Sequence, residues 1–97
     1  MKLSSARLGL ARLTLDYGGD LAKAEESILQ VWEQESANVE AAILLAEVRH
    51  RRGAIDDALG VLQTALLQTP DSMVLKASLK ELMSIKSSGT AIIPGLE

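Results

Sequence analysis

Apolar residues recur along most of the chain at intervals of three and four, which is the spacing of one face of an α-helix. The second segment is the clearest case, because Leu21, Ala24, Ile28 and Val31 are separated by charged and amide side chains. No segment alternates apolar and polar residues with a period of two, so the pattern predicts no β-strand. The chain is therefore predicted to be all-α.

Residues that begin and end helices divide this pattern into five predicted helices. Asp20 and Asn38 are good N-caps, and Gly18-Gly19 and Gly53 are typical of helix ends that need a left-handed residue. Pro70 stands just past the fourth helix, which it cannot continue. The predicted helices run from Ser5 to Tyr17, from Asp20 through Trp32, from Asn38 to Arg52, from Ile55 to Gln68 and from Ser72 to Lys86.

The composition changes after Lys86 to SSGTAIIPGLE, a segment with two Gly, one Pro and no helical period. Such a segment is typical of a loose terminus. We therefore predict a helical domain over residues 1–86 and a flexible tail over residues 87–97. No function is assigned to the tail, and its final Leu96-Glu97 is compatible with a cloning remnant.

The chain also repeats itself at an interval of about 34 residues. Ser4, Asn38 and Ser72 are three capping residues at this interval, and Gly19 and Gly53 occupy the same place in successive units. The apolar faces correspond as well, with Leu10 matching Leu44, Ala11 matching Leu45 and Leu79, Ala24 matching Ala58, Ile28 matching Leu62, and Trp32 matching Leu66. Self-similarity of this length predicts stacked copies of one helix pair.

The second unit resembles the tetratricopeptide repeat family at almost every diagnostic position. These positions are Leu45-Ala46 in the first helix, Gly53 at the turn, Ala58 at the close approach of the two helices, then Leu62, Ala65 and Pro70. The resemblance implies antiparallel helix-turn-helix repeats stacked as a short right-handed superhelix. It assigns residues 5–38 and 39–72 to two repeats and residues 73–86 to a closing helix.

The outer units depart from the family pattern. In the first, Arg12 replaces the small residue, Tyr17 comes two residues late for the aromatic position, and Ser36 stands in for proline. The third supplies only its first helix, with Lys80 at the small position. Because a stable stack usually takes roughly three repeats, we predict either a fragment of a longer array or an oligomer that completes its core across an interface.

Composition and charge narrow the range of functions. The chain has 97 residues, enough for one domain, and its net charge of −3 argues against a phosphate-binding surface. It has no cysteine, which fits a reducing compartment. The longest apolar run, Ala41 to Ala46, is far shorter than the roughly 18 residues of a membrane span. We therefore predict a soluble, cytoplasmic protein that binds no nucleic acid and does not insert into membranes.

Candidate chemistry is weak in this sequence. His50 follows Glu47 at a spacing compatible with metal ligation, but a solvated charge pair at a helix end is the favoured interpretation. The run from Arg49 to Arg52 is interpreted as cations that neutralise a helix C-terminus, and Trp32 as a core residue. Gly60 either permits the close approach of a neighbouring chain or has no role. We predict no catalytic residues, no metal and no cofactor, and hence no enzyme.

The resemblance implies a binding site, because first helices of successive units in this family line a concave groove. The matching positions here carry apolar and acidic side chains, which suits an amphipathic helix or an extended peptide with some positive charge. The predicted partner-binding residues are Leu10, Leu13, Tyr17, Glu40, Ile43, Leu44, Glu47 and Arg51, in a row that also includes Ala6, Gly9, Asp16, His50, Val74, Ala77, Ser78 and Glu81.

The apolar members of this row allow a second interpretation, in which Leu10, Leu13, Ile43 and Leu44 face a neighbouring helix and not a ligand. One known subclass of the family grips the C-terminal carboxylate of chaperones with Lys, Arg and Asn side chains. The matching positions here carry none of these residue types, so we predict no binding to chaperone tails; they are Gly9, Leu13, Leu44, Val74 and Ser78.

These observations predict a protein–protein interaction scaffold that holds a peptide or helix of a partner protein, as part of a larger assembly. The alternative is a self-association module. In that case, the open repeat ends or the face around Gly60 would pair copies into a homodimer or higher oligomer.

Overall fold

The structure, a computed structural model, describes residues 3–95. Five helices make up its regular structure, and no strand occurs within this range, as predicted. The helices are α1 (Leu3–Tyr17), α2 (Leu21–Gln34), α3 (Val39–Arg51), α4 (Ile55–Gln68) and α5 (Met73–Gly95).

Three of the five helices begin after an N-cap residue whose side chain makes a capping hydrogen bond. The side chains of Asp20, Asn38 and Ser72 accept hydrogen bonds from backbone N–H groups three residues on, at 3.2, 3.0 and 3.2 Å. These three predicted caps are confirmed. The prediction for Ser4 is wrong, because α1 already begins at Leu3. Serine is tolerated in a first turn, where its N–H has no intrahelical partner to lose.

Two glycines end helices in the left-handed conformation that the sequence predicts. Gly18 has a φ of 76° after α1, and Gly53 has a φ of 89° after α3. At each turn a backbone N–H reaches back across the helix end, from Gly19 to the Thr14 carbonyl at 2.9 Å and from Ala54 to the Arg49 carbonyl at 2.8 Å. These bonds satisfy carbonyls that would otherwise lack partners.

The fifth helix is longer than predicted. It contains 23 residues and continues to Gly95, so the prediction that it ends at Lys86 is wrong. Gly89 lowers helix propensity by about 1 kcal/mol but does not block a helix that is already formed. The first residue that interrupts helical hydrogen bonding is Pro94, and α5 ends directly after it. Leu96 and Glu97 lie outside the described residues.

The helices form two layers. Each helix packs against its neighbours in the chain, and α3 also contacts α1 and α5, so α1, α3 and α5 lie side by side. Alanines allow these close contacts: Ala41, Ala42, Ala46 and Ala58 are at most 2% exposed. The largest fully buried side chains are Leu8, Leu15, Ile28, Leu44, Leu45, Val48, Leu62 and Leu75.

Trp32 packs against this core and is only partly exposed, in agreement with its predicted position. Its indole N–H is buried and has no hydrogen-bond partner in the described part of the chain. Within the same residues, no helix has both the length and the apolar character needed to cross a membrane.

Two glycine substitutions should change stability in opposite directions. Gly53→Ala places a Cβ on a residue with a φ of 89° and should lower the free energy of unfolding by about 1 kcal/mol. At Gly60, inside α4, an added Cβ would meet no atom within 4 Å. Gly60→Ala should therefore raise the free energy of unfolding by up to about 1 kcal/mol. Urea unfolding followed by circular dichroism measures both, and equal signs would contradict this account.

A candidate groove between α3 and α5

The first helices of the second and third units enclose a groove of about 460 Å³, within the usual range for binding clefts of about 300–1,000 Å³. Fully buried Leu62 of α4 lies beneath it. The other lining residues are Ile43, Ala46, Glu47, His50 and Arg51 from α3, and Ser78, Glu81, Leu82 and Ile85 from α5.

Helical spacing places these side chains together. On α3, Ile43, Glu47 and His50 are separated by four and three residues and share one face. On α5, Glu81 and Ile85 stand one repeat interval after Glu47 and Arg51, so the same face of the next first helix points into the groove. Equivalent positions in successive repeats thus supply both walls of the groove.

Arginines compensate the charge of Glu47. Its carboxylate lies 2.9 Å from Arg51 Nη2 and 3.8 Å from Arg12 Nη1 of α1. Arg51 also donates from Nη1 to the Leu15 carbonyl at 2.5 Å, which satisfies a carbonyl near the end of α1. Arg51 therefore holds α1 against α3 and forms part of the groove wall.

Glu81 differs from Glu47 in having no such partner. Side chains are described for residues 6–87, and within them no hydrogen bond or ion pair reaches the Glu81 carboxylate. Glu81 is also exposed, so its charge is available to a molecule in the groove. The groove thus combines apolar side chains with one uncompensated negative charge.

The structure brings only some of the predicted partner-binding residues together. Ile43, Glu47 and Arg51 line the groove. Leu13 and Tyr17 are 50% and 84% exposed on α1, and Glu40 is exposed in the first turn of α3. Leu10, 66% exposed, instead lines a shallow depression with Arg7, Ala11, Thr14, Lys23, Ala24 and Ser27.

Leu44 is a correction to the predicted site. Its side chain is 0% exposed, so it cannot contact a partner in the folded chain. Successive residues on a helix are turned by about 100°. Leu44 therefore shares its face with buried Ala41 and Val48, while Ile43 faces the groove. For Leu44, the alternative interpretation as a residue that packs inside the stack is confirmed.

Four lining residues were missing from the predicted row: Ala46, Leu62, Leu82 and Ile85. Leu62 and Leu82 are apolar residues whose pattern in the sequence indicates the core, and both are indeed buried. The repeat interval identifies Ile85, because this residue stands 34 positions after Arg51.

A second charged cluster ties α2 to the end of α3. Glu25 accepts a hydrogen bond from Arg49 Nε at 3.0 Å and another from Arg52. The run from Arg49 to Arg52 therefore does more than neutralise a helix C-terminus, because Arg49 and Arg52 also join the first unit to the second. Burial alone raises the pKa of Glu25, but the hydrogen bonds and charges of both arginines outweigh it and lower that pKa.

Metal-binding groups are not found in the described part of the chain. No three His, Cys, Asp or Glu side chains there are arranged to hold a metal ion. His50 and Glu47 both line the groove, where Glu47 is occupied by arginines.

Comparison with known families identifies a matching family model. The family model of the tetratricopeptide repeat matches residues 17–81, more than half of the chain. The match begins at the end of α1, spans α2, α3 and α4, and ends within α5. It leaves out most of α1, the helix in which Arg12 replaces the small residue. Comparisons with curated proteins and with solved structures gave no significant match.

Replacement of Leu44 should destabilise the fold much more than replacement of Leu13. Leu44→Ala leaves a cavity at a fully buried position and should cost about 2–5 kcal/mol of unfolding free energy. Leu13→Ala, at a half-exposed position, should cost about 1 kcal/mol or less. Urea unfolding of the two variants tests this difference, and equal costs would show that Leu44 is not a core residue.

Glu25→Gln should reduce stability at neutral pH and have less effect in acid. A carboxylate whose pKa is lowered by folding stabilises the fold above its unfolded pKa of about 4.3, and loses that contribution as pH falls through the folded value. Thermal unfolding should therefore separate wild type from Glu25→Gln at about pH 7, and the separation should shrink progressively as pH falls below the unfolded pKa. The control is Glu26→Gln, at an exposed neighbouring position. A constant difference across this range would contradict the ion-pair explanation.

Proposed function

Because the chain belongs to the tetratricopeptide repeat family, as its second repeat predicts, we propose that it holds a peptide or helix of a partner protein in the groove between α3 and α5. Repeats of this family generally mediate protein–protein interaction, and the family is typically a non-enzymatic scaffold. The chain then acts as a binding module, with no chemistry of its own, in a larger assembly.

The observation that carries this proposal is the exposure of apolar side chains inside a concave surface. Ile85 is 41% exposed at one wall, and Ile43 is partly exposed at the other. A helix or an extended segment can bury its apolar residues in such a groove while polar residues at the rim fix its orientation. Glu47 and Arg51, which already bind each other, form part of this rim.

The bound segment would extend from this groove toward α1. Leu13 and Tyr17 stand one repeat interval before Glu47 and Arg51, so they continue the same row on the first helix. Both side chains are exposed, and tyrosine is a residue type that often anchors a partner. Glu40 belongs to this extended surface in the proposal, whereas Leu10, in the depression between α1 and α2, and buried Leu44 do not.

Self-association through the open repeat ends is the alternative function, and the face formed by α1 and α2 does not favour it. The buried residues Ala41, Val48 and Val61 of the second unit correspond to Arg7, Thr14 and Ser27 in the first, while Leu10 remains apolar. A second copy stacked on this face would have to desolvate polar groups and a guanidinium. This contrast supports the groove as the principal interaction surface.

A charge placed in the groove should abolish partner binding without unfolding the chain. We suggest selecting random 15-residue peptides against immobilised wild-type protein by display and measuring the affinity of the enriched peptides. Ile85→Asp should weaken them by about tenfold or more, because an aspartate replaces an apolar contact. Leu67→Asp provides a matched control, since Leu67 is an exposed leucine of α4 outside the groove.

Circular dichroism of both variants should match that of wild type, because both positions are exposed. Peptides that bind wild type and Ile85→Asp equally well would show that the groove is not the binding site. Selective loss with Leu67→Asp would place the site on α4 instead.

A further inference from the structure

Resting on the proposed function, we infer that the partner segment carries a lysine or arginine next to its apolar anchor residues, and that this cation pairs with Glu81. The occupant of the groove would then be a cationic amphipathic peptide or helix of another protein. The choice of a cation follows from the charges of the groove, some of which are already paired within the chain.

Glu81 is the charged group of the groove that is left for a ligand. Glu47 lies within 2.9 Å of Arg51 and 3.8 Å of Arg12, so two cations already compensate it. Glu81 is exposed and has no partner among the side chains of residues 6–87. A cation bound there gains an ion pair without displacing one that exists.

The surroundings of Glu81 suit a long basic side chain. Ile85 lies one helical turn further along α5, Ser78 lies one turn before, and Leu82 is adjacent, all in the groove lining. The methylene stem of a lysine or arginine can pack on such apolar surface while its charged end reaches a carboxylate. An adjacent leucine or isoleucine of the partner would occupy the space between Ile43 and Ile85.

An acidic partner is disfavoured by the same arrangement. It would meet the negative charge of Glu81, and the arginine of the lining, Arg51, is engaged with Glu47 and the Leu15 carbonyl. Release of Arg51 would leave the Leu15 carbonyl without its partner and Glu47 with only the longer contact to Arg12. The net charge of −3 for the whole chain works in the same direction.

A second copy of this chain is a less suitable occupant than a separate protein. The exposed face of α1 presents Leu10, Leu13 and Tyr17, but its cations are already in use. Arg7 donates to Gln30 at 2.9 Å, and Arg12 pairs with Glu47. An α1 helix docked in the groove of another copy would have to give up these contacts to reach Glu81.

The peptide selection described above tests this inference when the enriched sequences are compared. We expect peptides that carry lysine or arginine within one helical turn of a leucine, isoleucine or aromatic residue. Their affinity should fall about two- to fivefold with Glu81→Gln and about tenfold with Glu81→Lys. Glu26→Lys, on the exposed side of α2, gives the same charge change away from the groove and should leave affinity nearly unchanged.

The outcomes separate this inference from the function on which it rests. Enriched peptides without cations, insensitive to Glu81→Lys but lost with Ile85→Asp, would overturn the charge inference and leave the groove intact. Peptides unaffected by either substitution, or a selection that enriches none, would overturn both. Light scattering that shows a dimer of the wild type, dissociated by Glu81→Lys, would identify a second copy as the occupant and would also overturn the inference.

Discussion

Close contact between helices at alanine positions is the constraint on which the structure depends. Ala42 and Ala46 of α3 and Ala58 of α4 are almost completely buried, and side chains of this size allow helix axes to approach to about 8 Å. Larger residues at these positions would separate the helices, and the leucines around them would lose contact. The third helix is the most constrained element, because it touches all four other helices.

The groove is a consequence of this packing. Three first helices lie side by side, and the face that they do not use against α2 and α4 is left open to a partner. Charged residues then divide into two kinds. The arginines at the end of α3 bind Glu25 and Glu47 and hold the first two units together, whereas Glu81 has no structural partner in the described region. The uncompensated charge of the groove is therefore carried by a residue that packing leaves unused.

Local signals in the sequence were sufficient for most of the fold. Capping side chains at Asp20 and Asn38 and left-handed glycines at 18 and 53 act within a few residues, so they can be recognised without a structure. The end of α5 could not be predicted in this way. Weak helix formers after Lys86 extend a helix that the preceding residues have already started, and propagation costs less than initiation.

The site was harder to predict than the fold, and Leu44 shows why. A leucine beside Ile43 looks the same in sequence whether it faces solvent or a neighbouring helix, and only the position of α3 within the stack distinguishes the two. Leu62 belongs to the second unit and Ile85 to the closing helix, so their meeting depends on how these two units stack. The repeat interval does predict equivalent positions, and applied through the whole of α5 it identifies Ile85.

Arg51 connects the wall of the groove to the packing of α1. Its guanidinium binds the end of α1 and Glu47 and also lines the surface where a partner would lie. A partner that drew this side chain toward itself would take the hydrogen bond from the Leu15 carbonyl, which is one of the contacts between α1 and α3. Occupancy of the proposed groove would then be coupled by thermodynamic linkage to the position of α1, and a partner would bind more tightly to a chain whose α1 already stood in the position that this partner favours.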